Sequence, residues 1–416
     1  MSPFNFEKAD EYAVTALGAL HEERFLRRKA GQASLSTSTV RTSYPVRQYS
    51  KALHGLHSLL NATTVSMDTV LMAVLLMVHF EALRENFVPA IIHIEHGTRL
   101  LHSSNVSKAR KIDQGLVHTL MRLEIQCSLY GDLRLQRPPS GGESIDDPLP
   151  AILQDLTQAR DVVNIWTCHL FHFLHSEAYY HKHTCVSGVP LEKLAKSHEL
   201  RRTFEEIDQL LDIFFHKNIA GLIARERHGL EVLRMRVKIN MIMSATCLYT
   251  EETMFDAFLQ DFEDILTTCT EIMASVDADR RLFSVSLDEG LLHPLFFTAT
   301  QCRDSRIRHQ AITQLKNLPS VEGTPKGIWH IEAMTREAEI LIRLEEAECG
   351  EEVPCCSDIP EWRRVHRAGV DGWGLHPSKS KRQSASTTMG TRPNGMDGEW
   401  AEFSEDLGWS IIPAVE

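Results

Sequence analysis

Two places in the chain combine residue types that could do chemistry. The first is Cys168-His169-Leu170-Phe171-His172-Phe173-Leu174-His175, followed by His181, His183 and Cys185. His169 and His172 stand one helical turn apart, a spacing at which two imidazoles can share a transition metal. No carboxylate joins that face, and Leu170, Phe171, Phe173 and Leu174 are interleaved with it. The plainer reading is a helix whose histidines line its polar side or meet buried partners, so no metal ligand is nominated.

The second place is Gln301-Cys302-Arg303-Asp304, which interrupts an apolar run. A thiol flanked by a cation and an acid has the makings of a nucleophile, but no base-bearing signature accompanies it. Its surroundings read as two helices meeting at a corner. Leu291, Leu292, Leu295, Phe296 and Phe297 supply the apolar face of the first. Asp304 or Ser305 offers a side-chain oxygen to the free N–H groups of the second. That second helix puts Ile307, Ala311, Ile312, Leu315 and Leu318 on one side, with Arg306, Arg308, Gln310 and Lys316 expected outward and Pro319 as its stop. Cys302 is then a small apolar group at the corner. Arg303 is expected to bond carbonyls ending the first helix or to pair with an acid. No catalytic residue is nominated.

Other chemistries lack their residues. There is no Gly-x-Ser-x-Gly elbow, no phosphate-cradling Gly-x-x-x-x-Gly-Lys-[Ser/Thr] and no Gly-x-Gly-x-x-Gly. Cys355-Cys356 is too tight for the usual Cys-x-x-Cys bite and has no second pair, so neither a structural zinc nor any other cofactor is expected.

The elements that must position these residues are helices. Period-3.6 patterning dominates up to about residue 350 and predicts helices over 10–29, 46–60, 67–85, 87–102, 108–130, 149–181, 191–216, 220–248, 251–274, 291–301, 305–317 and 326–348. Short connections between them favour an irregular bundle of antiparallel helical pairs, like an α-solenoid without a fixed repeat. The fold class is mainly α. Residues 1–349 read as one all-helical domain, with mobile loops near 31–43 and 137–150. From 350 to 416 glycines and prolines replace the helical period, giving an appendage that is partly disordered or a small β-hairpin. Ile359–Val365 and Arg392–Trp400 read as its strand edges, and Asn394-Gly395 as its turn. The Glu399–Trp409 string has the acidic and aromatic mixture of an activation segment, but the hairpin gives those aromatics a structural use instead.

Composition narrows the function classes. A chain of 416 residues with 43% hydrophobic content buries a core without disulfides, and nine scattered cysteines read as thiols of a reducing compartment. The net charge of −12 disfavours a large surface for a nucleic-acid backbone. The longest apolar run, Val70 to Phe80, is short of the roughly 20 residues that span a bilayer and reads as a buried helix, so no membrane role is expected.

Taken in order, several segments resemble the regulatory region of fungal binuclear zinc-cluster (Zn2Cys6) transcription factors. Pro294 through Ile312 resembles its late segment, with an apolar helix, a Cys-Arg-Asp corner and an arginine-bearing helix; Gly327-Ile328-Trp329 and Arg343-Leu344-Glu345-Glu346 follow as they do in the family. Ala16–Glu22 and Tyr49–Leu53 resemble its early helices. Leu75–Phe87, running into Ala90, His93, Gly97 and Leu100-Leu101, resembles its middle. The resemblance implies a family corner at Cys302, Arg303, Asp304 and Arg308 and a family middle segment marked by Phe80, Glu81, Gly97 and Leu100. It further implies a nuclear, non-catalytic, effector-responsive region that contacts other transcription regulators, as a homodimer or heterodimer, with its effector unspecified. The family's six-cysteine module has no counterpart, since the first cysteine is Cys127. Specific DNA binding is therefore not expected of this chain. A second reading is a stand-alone helical interaction or inhibitory partner of full-length zinc-cluster regulators. A third, an enzyme using the His169, His172 and His175 group with a metal, ranks last.

Overall fold

Apolar residues recurring at helical spacing fold into the helices expected of them. The computed structural model describes residues 7–29, 43–60, 66–84, 86–102, 112–130, 148–183, 188–277, 290–318, 331–347, 349, 354–371, 383–395 and 398–411. The chain is mainly helical and ends in a three-stranded antiparallel sheet. The helices are α1 (Glu7–Lys29), α2 (Tyr44–Leu60), α3 (Met67–Leu83), α4 (Phe87–His102), α5 (Gln114–Tyr130), α6 (Leu156–Phe173), α7 (Tyr179–His183), α8 (Leu191–Asn218), α9 (Ala224–Thr246), α10 (Leu259–Asp277), α11 (Leu292–Gln301), α12 (Ser305–Asn317) and α13 (Ile331–Glu346). A π-helical turn, Leu174–Ala178, joins α6 to α7, and a 3-10 segment, Glu252–Phe258, leads into α10.

Helices adjacent in sequence pack on one another: α1 on α2, α3 on α4, α8 on α9, and α11 on α12. α3 is apolar nearly all round because α1, α2, α4 and α5 all touch it. Phe80 is 1% exposed there, and its ring stacks on Tyr49 with centroids 4.4 Å apart. The principal hydrophobic cluster runs from α1 through α5 and on through α9 to α13 and the sheet. A second is built from α6, α8 and α9 around Trp166, Phe173, Phe204 and Phe214. Met243 packs against both.

Several helix starts differ from the sequence reading. The helix expected from 149 begins at Leu156, because Asp155 caps it by accepting the Gln158 N–H at 2.8 Å. The one expected from 220 begins at Ala224, where the Glu226 carboxylate accepts the Ile223 N–H at 3.0 Å. Ser66 precedes α3 but makes no side-chain cap bond. Most of the loops near 31–43 and 137–150, with Gly327-Ile328-Trp329, lie outside the described residues.

The C-terminal segment needs a larger correction. Ile359–Val365 is not a strand edge: Cys356–Asp358 and Glu361–Arg363 are 3-10 turns, and β1 starts at Val365. The sheet has three strands, β1 (Val365–Asp371), β2 (Gln383–Thr391) and β3 (Ala401–Ile411), in that order. Arg392–Trp400 is the β2–β3 connection, and its Gly395 takes φ of 84°, the left-handed conformation glycine adopts without strain. Strand alternation explains the acidic and aromatic string: Phe403, Glu405 and Leu407 are shielded while Glu402, Ser404 and Asp406 are exposed. Glu405 pairs with Arg336 at 2.8 Å and with Arg343, both on α13. Val365, Met389 and Leu407 belong to the principal cluster, so the described sheet is packed into the helical body.

Gly97 sits where three helices converge. A Cβ there would lie 3.0 Å from Val74 and 3.2 Å from Leu120, whereas one on Gly18 of α1 meets nothing. Gly97→Val should therefore cost about 1–3 kcal/mol by overpacking. Gly18→Ala should add about 0.5–1 kcal/mol through helix propensity. Urea denaturation of the two variants, with unchanged slopes, checks both signs.

Candidate functional site

The Cys-Arg-Asp segment joins α11 to α12, and each of its side chains has a partner in the architecture. Asp304 caps α12, its Oδ1 accepting the Ile307 N–H at 3.0 Å. Cys302 is 2% exposed, and burial pushes its thiol up to about 12, so it carries no thiolate near neutrality. Arg303 donates to the Gln301 carbonyl at 2.8 Å and to Glu345 Oε1 at 2.9 Å, meeting both roles open to it. Arg308, expected to point outward, is instead fully buried and donates to Glu345 Oε2 at 2.8 Å. The reason is geometric: Arg308 lies on the same stripe of α12 as Ile312 and Leu315, and Glu345 of α13 is there to neutralise it.

Glu345 is fully buried and also accepts the Val365 N–H at 2.8 Å, anchoring β1. Burial alone would raise its pKa; the charges of Arg303 and Arg308 outweigh that and hold it below the ordinary carboxylate value. The chain of alternating charges continues: Arg303 reaches Glu252 Oε2 at 3.3 Å, and Lys182 meets Glu252 Oε1 at 3.0 Å. Burial raises the Glu252 pKa as well, but Lys182, Arg303 and His366 lower it further.

The residues before β1 tie the same 3-10 segment down from the other side. Arg364, 1% exposed, forks onto Asp256 at 2.7 and 2.8 Å and donates to the carbonyls of Ile359 and Cys356. Glu361 accepts the N–H groups of Glu252 and Thr253, each at 2.8 Å, satisfying two of the segment's free N-terminal donors, and pairs with His366 at 2.8 Å.

Beside this chain lies a cavity of about 310 Å³, at the meeting of the two hydrophobic clusters. Its walls come from α6 and the π-turn (Phe171, Leu174, His175), α7 (Lys182, His183), α9 (Met243, Cys247), the 3-10 segment (Glu252, Phe255), α11 (His293, Phe296, Phe297), α13 (Leu341) and β1 (Val365, His366). The volume falls at the lower end of the range for small-molecule sites, and a π-turn in the wall is a recurrent feature of functional sites. Burial pushes the His183 and His293 imidazoles down to about 3 and lowers those of His175 and His366, so all four are neutral at pH 7.

The structure separates the histidines grouped in the sequence. His169 is 3% exposed and packs against Trp166 with ring centroids 5.0 Å apart, while His175 and His183 line the cavity. Among the described residues no group of three or more His, Cys, Asp or Glu is placed to hold a metal; Cys185 is not among them. The middle segment contributes none of the residues that line the cavity and carries polar contacts of its own. Glu81, 3% exposed, accepts from Asn86 at 2.8 Å and pairs with Arg84 at 3.2 Å, and Tyr49 hydroxyl meets His93 Nε2 at 2.8 Å. Phe80 and Gly97 pack in the core, and Leu100 packs against it. Sequence reasoning missed Glu252 and Glu345 as partners of the corner, and Lys182 and Arg364 as the residues that tie the 3-10 segment beside it. For Glu345 a signal existed: it continues the α13 stripe of Met334, Ala338 and Leu341, a charge in an apolar row.

No described helix is long and apolar enough to cross a membrane. No family model, curated protein or solved structure matches the chain.

Glu345→Gln should cost about 3–5 kcal/mol at pH 7, because two buried guanidinium groups lose the carboxylate they share and keep only the longer contacts of Arg303 to Glu252 and of Arg308 to Glu346. A depressed carboxylate pKa contributes stability above the unfolded value, near 4.5 for Glu345, and loses it as pH falls through the folded value. The gap between wild type and variant should thus be widest above pH 4.5 and narrow below it, as read from denaturation midpoints across pH.

Proposed function

We propose that this chain is a non-catalytic helical regulatory protein of the kind found in the regulatory regions of fungal zinc-cluster transcription factors, acting in the nucleus through protein partners and responsive to a small effector. The observation that carries this reading is the cavity joined to the corner through Lys182, Glu252, Arg303 and Glu345. Anything bound there sits against a charge chain that ties α7, the 3-10 segment, the α11–α12 corner, α13 and β1 together. Such a site is arranged to bind and relay. Cys247, a thiol in its wall, is pushed up to about 11 by burial, and the corner thiol Cys302 to about 12.

Two further features support the family reading. The segments that carry the resemblance, on α1, α2, α3, α4 and from α11 to α12, all contribute to the same principal cluster. The net charge of −12 disfavours a large surface for a nucleic-acid backbone, which fits a role exercised through protein partners.

Fusing the full chain to an unrelated DNA-binding domain upstream of a reporter tests the proposal. The expected result is a severalfold change in reporter output, in either direction, over the DNA-binding domain alone, with a zinc-cluster regulator recovered on the purified chain. Recovery of such a regulator with no reporter change would favour the inhibitory partner; neither effect would overturn the regulatory reading.

A further inference from the structure

What the cavity can hold follows from its lining. Phe171, Leu174, Met243, Phe255, Phe296 and Leu341 make most of its wall apolar. Its charged groups are already matched: Lys182 pairs with one oxygen of Glu252 and Arg303 with the other. A charged ligand would set an unmatched charge against this apolar wall and its already neutralised ion pairs, which is costly. The wall also carries a polar ring. His183 lines the cavity and packs its ring on Tyr179 with centroids 4.4 Å apart, so a bound molecule meets this imidazole amid otherwise apolar surroundings. Burial favours the neutral form of this imidazole, which can both donate and accept.

We propose that the cavity binds an uncharged, largely apolar small molecule whose hydroxyl or carbonyl oxygen is held by the imidazole of His183. The π-turn, which sets His175 and Ala178 in the same wall, offers His175 as a second polar contact along the molecule. This deepens the effector part of the proposed function and rests on that reading only for its biological consequence, since binding itself is measured directly.

Three probes of one shape separate the alternatives: 2-naphthol, naphthalene and 2-naphthoate, titrated by calorimetry into the full chain at pH 7. The expected result is saturable 1:1 binding of 2-naphthol, on the order of tenfold tighter than either analogue. His183→Phe should bring 2-naphthol to the level of naphthalene, and Leu174→Trp, which fills the cavity, should abolish binding of all three, with folding of both variants checked by circular dichroism. The proposal is overturned if no probe binds saturably, if 2-naphthoate binds tightest, or if Leu174→Trp leaves 2-naphthol binding intact. Binding with neither a reporter response nor a recovered regulator would leave the site standing and sink the regulatory role; a reporter response without binding would do the reverse.

Discussion

One carboxylate organises the C-terminal half of this molecule. Glu345 is removed from water, and a lone buried carboxylate would either protonate or unfold the region around it. It does neither because one oxygen meets Arg303 and the Val365 N–H while the other meets Arg308. Three stretches of chain that are distant in sequence therefore have to arrive together. Well-packed apolar groups of the same volume could contribute as much net stability. What the ionic arrangement adds is uniqueness, since few placements of α13 answer both guanidinium groups and a strand amide at once.

The consequences spread outward from that point. With Arg303 and Arg308 neutralised, the Cys-Arg-Asp segment becomes a corner, and its thiol stays protonated in apolar surroundings. With Val365 bonded and Arg364 forked onto Asp256, the sheet is held against the helices, and its acidic third strand answers Arg336 and Arg343. With Glu252 shared between Arg303 and Lys182, one wall of the cavity is joined to the same chain. The cavity, the corner and the sheet are thus neighbours in one electrostatic arrangement.

Much of the helical architecture was legible in the sequence, because period-3.6 apolar rows leave little choice: α4, α12 and the Asp304 cap could be read directly. The strands were legible only as a loss of helical period, and their edges were misplaced because Ile359, Trp362 and Arg364 look extended yet serve 3-10 turns and a buried fork. The deeper limit concerns charge. A rule that sends arginines outward places Arg308 on the surface, and it fails because the matching acid lies 37 residues away along the chain. Such a pair shows itself locally only as a charge in an apolar row, which both Arg308 and Glu345 are. The cavity had no signal of its own: its histidines were visible as a group, but the turn that separates His169 from His175 and His183 is a π-helical detail no periodicity reveals.

The central claim is that the Glu345 cluster makes the corner and the C-terminal sheet one cooperative unit. Native-state hydrogen exchange at the Val365 amide tests it most directly, because that N–H is bonded to Glu345 itself. The account predicts that Val365 exchanges only with the global unfolding of α11, α12 and α13, with the same free energy and the same dependence on denaturant. Fast exchange at Val365 while those helices stay protected would show the sheet to be an independent attachment and would contradict it.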